Sequence, residues 1–202
     1  MSSQHTSPLT LEDWAGSQDL SLTLVFTDIV DSTLIGRKLG DRRWIDDLFI
    51  HFSQARSLTA FVDCFIVKVI GDSLMMAFRT STDAVDFALA FVVDTGVDYI
   101  SIRVGINSGQ VHIRENDIYG LTVNFTSRVQ YAVTGAGILI SNSVKSDYEK
   151  TFGIDSGIRF NPQEMDLKSF GPEMVYWTFR PGWRDPIRKQ RKARADLLGI
   201  AR

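Results

Sequence analysis

Cysteine is almost absent: Cys64 is alone among 202 residues. No internal disulfide can form and no cysteine-based zinc site can close, which fits a reducing, cytoplasmic compartment. Long apolar runs are also missing. No stretch approaches the roughly 18 apolar residues of a membrane helix, and the polar N-terminus, Met1 to Asp13, carries Glu12 and Asp13 with no basic flank. Neither a signal peptide nor a membrane span is expected. An excess of one charge is lacking too, since 22 Lys and Arg face 24 Asp and Glu for a net charge of −2. That balance disfavours a generic nucleic-acid binder and a disordered chain. Histidine is scarce: His5, His51 and His112 show no metal-ligand spacing, so core or surface placement is expected.

What is present is a hydrophobic share of 44%, enough for a core, in a length that suits one domain at about 150 residues each. Residues 1–19 read as a flexible lead-in, 20–182 as the folded body and 183–202 as a basic tail. The tail carries +5 against −7 for the rest. Its cluster Arg184, Arg188, Lys189, Arg191, Lys192 and Arg194 reads as a solvated helix or frayed end, dispensable for turnover.

Within the body, Leu22 to Phe26 is a β-branched and aromatic run that ends in polar residues, as a buried strand does. Trp44, Ile45, Leu48, Phe49, Phe52 and Ala55 recur at helical spacing, with Asp41 as N-cap. Cys64–Ile70 and Ser73–Phe78 flank Gly71-Asp72, whose glycine suits a tight hairpin turn and whose Met75 and Met76 suit its core. A helix over 82–93 and a strand over 101–107 follow. The order β, α, β, β, α, β is that of a ferredoxin-like α+β core, an antiparallel sheet with helices packed on it. Gly109 before Val111-His112-Ile113 suggests a further hairpin, and Thr122 to Val133 a helix. The remainder to Phe179 reads as a small edge subdomain.

Asp28 at a strand end and Asp72 in the hairpin turn are oxygen donors of the kind that hold Mg²⁺ or Mn²⁺ with water and phosphate. By spacing alone they read equally well as a strand terminator and a turn former. Phe26-Thr-Asp-Ile-Val-Asp-Ser-Thr33, Lys68-Val-Ile-Gly-Asp72, Arg103-Val-Gly-Ile-Asn107 and Asp117-Ile-Tyr-Gly-Leu-Thr-Val-Asn-Phe-Thr-Ser-Arg128 shift that balance. In this order and spacing they resemble the catalytic domain of class III adenylyl and guanylyl cyclases. The likeness runs from about residue 21 to 180 and takes in Asp166-Leu-Lys-Ser-Phe-Gly171.

The resemblance implies a cytoplasmic homodimer with active sites at its interface, converting a nucleoside triphosphate to a 3′,5′-cyclic monophosphate and pyrophosphate. Asp28 and Asp72, with the backbone at Ile29, would hold two Mg²⁺ or Mn²⁺ ions per site. Ile29, Ser32, Thr33 and Lys168 would join the substrate contacts, Lys68 and Asp117 would select the base, and Asn124 and Arg128 would act catalytically on ribose and phosphate. The Lys68/Asp117 pair favours ATP.

Two departures from the family pattern bear on this reading. Asp31 stands where relatives carry glycine and adds a carboxylate near the triphosphate. Ala60-Phe61-Val62-Asp63-Cys64-Phe65 adds apolar bulk before the hairpin. With such bulk a pyrimidine cyclase of bacterial antiphage defence, acting on UTP or CTP, is the alternative, because cytosine and uracil also offer a donor–acceptor pair. A catalytically dead cyclase-like dimerisation module would be expected to lack one or more of the six polar side chains. A ferredoxin-like RNA-binding domain would need exposed aromatics in a basic setting.

Overall fold

A computed structural model describes residues 9–60, 62–153 and 156–200. The elements run α1 (Leu11–Ala15), β1 (Asp19–Ile29), α2 (Ser32–Leu39), α3 (Asp41–Thr59), β2 (Cys64–Ile70), β3 (Ser73–Phe78), α4 (Ser81–Val93) and β4 (Ile102–Arg114). They continue with β5 (Asp117–Tyr119), α5 (Leu121–Tyr131), β6 (Gly137–Ser141), α6 (Asn142–Phe152), β7 (Arg159–Leu167), β8 (Gly171–Phe179) and α7 (Arg184–Leu198). The strands form one sheet in the order β2-β3-β1-β4-β6-β8-β7, with β5 paired to β4. Its first four strands are antiparallel neighbours in the ferredoxin-like arrangement. The expected edge subdomain is not separate: β6 pairs parallel to β4, and β8 and β7 extend the same sheet.

Alternation along β1 divides the core. Val25 and Ile29 face a layer that includes Phe52 of α3, Phe87 and Phe91 of α4 and Val144 of α6. Leu22 and Leu24 face the other way, towards Leu11, Met75, Val111 and Ile118. Both faces of β1 are buried, so its sequence reads as a continuous apolar run rather than a simple alternation. Helix α5 covers this second face nearer β6, through Val129 beside Leu139 and Val175.

Several local expectations are corrected. Gly40, at φ 79°, caps α3, and Asp41 is its first helical residue. Gly109 makes no hairpin, because β4 runs unbroken through it and the turn lies at Glu115 and Asn116, both at positive φ. Glycine is needed at 105 and 109 for another reason. A Cβ at Gly105 would lie 2.3 Å from the Gln130 backbone nitrogen, and one at Gly109 would lie 2.7 Å from Thr122 Oγ1. These two absences let α5 settle against β4.

Part of the lead-in is ordered as well: α1 is closed by a Thr10/Asp13 capping box and buries Leu11. The basic tail is α7, docked on the helix layer through Ile187, Leu197 and Leu198, not a solvated end. Residues 1–8, including His5, and Phe61 lie outside the described residues.

His51 is fully buried, stacked on Phe91 with ring centroids 4.7 Å apart. Its Nδ1 lies 2.9 Å from the Thr95 carbonyl, the contact of an Nδ1–H donor, while Nε2 has no partner. Burial pulls its pKa down to about 4, against a smaller opposing effect of the Thr95 bond. The folded protein therefore resists a proton that the unfolded chain accepts near pH 6.5, so stability present above that pH is lost as pH falls towards 4. Compared with His51→Asn, the wild type is expected to lose up to about 3 kcal/mol more unfolding free energy between pH 6.5 and 4. Urea titrations across that range check this, and a pH-independent difference would contradict it.

Candidate active site

The C-terminal end of β1 carries Asp28 onto the sheet face that α5 covers. Opposite it on β4 stands Arg103, whose Nε and Nη2 lie 2.8 and 2.5 Å from Asp28 Oδ2. On the other side Ser73 Oγ donates to Asp28 Oδ1 at 3.3 Å. Ser73 follows Asp72 directly, so the hairpin turn that carries the second carboxylate lies next to the Asp28 end of β1. Asp72 Oδ2 is buried and has no hydrogen-bond partner among the described residues.

A buried acceptor without a donor, beside a second carboxylate, suits a hard divalent cation. No group of three or more His, Cys, Asp or Glu forms a metal cage among the described residues, so water and ligand oxygens would complete the coordination. Ile29, the last residue of β1, adjoins this corner with its side chain buried. Ser32 and Thr33 open α2, where backbone N–H groups have no partner within the helix and favour an anion.

Between strand and helix, Asp31 adopts the left-handed conformation, φ 60°, that a glycine takes without strain. Its carboxylate leaves the α2 N-terminus uncapped and pairs with Arg194 Nε at 3.2 Å. The extra carboxylate noted in the sequence is thus matched by a cation from α7.

Lys68 reaches its position through a bulge. Regular pairing from Ile66 opposite Met76 would set Lys68 opposite Leu74, facing the helix layer. The register shifts between Ile66 and Lys68, so that Lys68 stands opposite Met75 on the other face. There its Nζ lies 2.5 Å from Asp117 Oδ2. Asp117 opens β5, and β4 must curve over the sheet to bring it there, since Asp117 pairs with Arg114 at the strand's far end. Its Oδ1 accepts the Ile118 N–H at 2.8 Å.

On α5, Thr126 and Val129 face inward, which turns Asn124 and Arg128 to the opposite side. Neither side chain makes a hydrogen bond or ion pair among the described residues, and they lie between Leu121, 75% exposed, and Tyr131, 82% exposed. Lys168 is exposed in the β7–β8 turn. That turn packs against the same helix, with Phe170 edge-on to Phe125 at 5.0 Å.

One chain therefore pairs Lys68 with Asp117 and sets Asp28 beside Ser73, the residue after Asp72. Asn124 and Arg128 touch neither. Arg103, quoted in the sequence motif without a role, proves to be the residue that fixes Asp28. Its place two residues before Gly105 on the same strand face was the available signal.

Residues 17–179 match the family described as the adenylate and guanylate cyclase catalytic domain. Among curated proteins, the chain is 29% identical over 126 residues to a pH-sensitive adenylate cyclase of Mycobacterium tuberculosis, covering 61% of this chain and 32% of that protein. To an adenylate cyclase of Streptomyces coelicolor it is 23% identical over 175 residues, covering 84% and 46%. The chain spans less than half the length of these relatives. Among solved structures, the adenylyl cyclase CyaB of P. aeruginosa superposes with a TM-score of 0.70 at 22% identity, covering 80% of this chain and 94% of that one. The guanylate cyclase domain of RhGC from Catenaria anguillulae, in complex with GTP, gives 0.69 at 22% identity, covering 81% and 99%. At these identities the structural likeness is one of fold.

The two carboxylates should separate in a stability measurement. Asp28→Asn weakens the Arg103 ion pair and is expected to cost about 1 kcal/mol, or about 2–4 °C in Tm. Asp72→Asn removes a charge that has no partner among the described residues, and should leave the Tm unchanged or raised without metal while abolishing the rise that Mn²⁺ induces in the wild type. A full Mn²⁺ response in Asp72→Asn would contradict the site.

Proposed function

The chain belongs to the adenylate and guanylate cyclase catalytic domain family, and on that premise we propose that it converts ATP to 3′,5′-cyclic AMP and pyrophosphate in sites shared by two copies. The observation that carries this reading is the meeting of Lys68 and Asp117 across 49 residues, at 2.5 Å, on the sheet face that also holds Asp28. An adenine edge offers an acceptor at N1 and a donor at N6. Lys68 Nζ donates to the first and Asp117 Oδ2 accepts from the second, replacing their bond to each other. The curated relatives described above are adenylate cyclases, which supports adenine.

Asp28 and Asp72 would hold two Mg²⁺ or Mn²⁺ ions, with the backbone at Ile29 as a further ligand. Bound there, such ions supply activation of the 3′-hydroxyl and screening of phosphate charge. Arg103 and Ser73 keep Asp28 in one orientation. The amides at Ser32 and Thr33 receive phosphate oxygens at the positive end of α2. The ribose 3′-oxygen attacks the α-phosphorus, the bond to the β-phosphate oxygen breaks, and the hydroxyl proton passes to solvent. Charge grows on the α-phosphoryl oxygens in that step.

Arg128 suits that charge, Asn124 suits the ribose, and Lys168 suits the outer phosphates. In the single chain the first two stand on the outward side of α5, Asn124 exposed and Arg128 half-buried, without a hydrogen bond or ion pair among the described residues, so a second copy supplies the missing half of each site. Cytoplasmic residence belongs to the same proposal, and no helix of the described residues is long and apolar enough to cross a membrane.

Among the described residues, the apolar bulk before the hairpin gives little support to a pyrimidine substrate. Cys64 packs against the helix layer, and Phe65 lies against Trp14 with ring centroids 5.9 Å apart. Incubation with each of the four NTPs and Mn²⁺, with products identified by mass, is expected to give cyclic AMP from ATP. In competition among equimolar NTPs, Asp117→Ala should reduce discrimination by about ten- to a hundredfold, because a buried donor is left unsatisfied. Cyclic UMP or CMP as the main wild-type product would overturn the assignment to ATP, and no cyclic product from any NTP would overturn the activity.

A further inference from the structure

We propose that α7, outside the matched span 17–179, is a working part of the phosphate-binding turn, with Arg194 as a positioning residue for Asp31. This rests on the reading of that turn as the triphosphate site.

Arg194 is 9% exposed, an unusual place for a guanidinium unless its donors are used. They are used on both sides of one turn. Nε pairs with the Asp31 carboxylate at 3.2 Å, and Nη1 donates to Ser101 Oγ at 2.7 Å. The Ser101 carbonyl in turn accepts the Val30 N–H at 2.9 Å. Val30 and Asp31, the two residues joining β1 to α2, are thereby tied to α7 directly and through Ser101.

The helix is itself held in place. Ile187, Leu197 and Leu198 pack on the core, and Gln190 Nε2 donates to the carbonyls of Val92 and Val93 at the end of α4, at 3.3 and 3.1 Å. Those are terminal carbonyls that α4 leaves unsatisfied.

The coupling answers two difficulties that Asp31 creates. A non-glycine residue in the left-handed region needs surrounding structure to keep it there. A carboxylate at a helix N-terminus also competes with an incoming phosphate for the same positive field. Drawing the Asp31 carboxylate onto Arg194 relieves both, leaving the α2 amides free. Burial disfavours the charge on Arg194, Asp31 opposes that, and Arg191 and Arg103 add to it; in the pairs formed, acid and base alternate, Asp28 with Arg103 and Asp31 with Arg194. Removing Arg194 alone would leave the Asp31 charge facing the phosphates.

The test uses the full chain and a readout that needs no turnover: calorimetric binding of tripolyphosphate in the presence of Mn²⁺. Arg194→Met is expected to weaken binding about tenfold or more, and adding Asp31→Gly to that variant should restore it to within about threefold of wild type. A merely structural role for Arg194 would not be rescued by removing the Asp31 charge. Wild-type affinity in folded Arg194→Met, or no recovery in the double variant, overturns the proposal. Should Arg194→Met not fold, Asp31→Asn keeps the side-chain size and leaves Arg194 without its anion. It should tighten tripolyphosphate binding about threefold or more, and unchanged affinity would overturn the inference. Failure of the wild type to bind tripolyphosphate would instead refute the underlying reading of the turn, and the inference with it.

Discussion

The antiparallel register of β1 sets Asp28 opposite Arg103 on one neighbour and beside Ser73 on the other. A slip of one residue would turn Asp28 into the helix layer and carry Val25 and Ile29 out of it, so burial of those apolar side chains is what fixes the carboxylate's position. The hairpin turn then has no freedom to place Asp72 elsewhere. The β2 bulge sends Lys68 to the same face, and the bare backbone at Gly105 and Gly109 admits α5 over it. Site geometry here follows from strand pairing, with side-chain chemistry added at the ends.

A strand ending in acids and a two-residue hairpin loop were legible because local composition alone dictates them. The four motif fragments were legible because their order and spacing match a family. Gly109 was misread for a physical reason: a glycine in a strand serves a turn or a close approach equally well, and only the partner helix tells which. Helix α1 is five residues long and shows no periodicity, so only its capping box was there to be seen. The Lys68 bulge leaves no mark in sequence, since it depends on pairing with β3. Arg194 is one of several basic residues in the tail, and nothing local distinguishes the inward one from its neighbours.

The chain also shows how an unfavourable residue is accommodated. Asp31 occupies a backbone conformation suited to glycine and brings negative charge to the N-terminus of α2. Its compensation lies 163 residues away in sequence, on a helix beyond the matched family span. Burying Arg194 without Asp31 would be costly. Each residue therefore makes the other tolerable, and the β1–α2 turn and the C-terminal helix form one unit.

The central claim is that each active site needs two copies: carboxylates from one chain, Asn124 and Arg128 from the other. Mixing Asp72→Asn protein with Arg128→Ala protein, each inactive alone, tests it directly. Random exchange between symmetric dimers makes half of them mixed, each with one intact site, so cyclase activity should return to about a quarter of the wild-type value. No recovery from two variants shown to co-assemble would contradict shared sites.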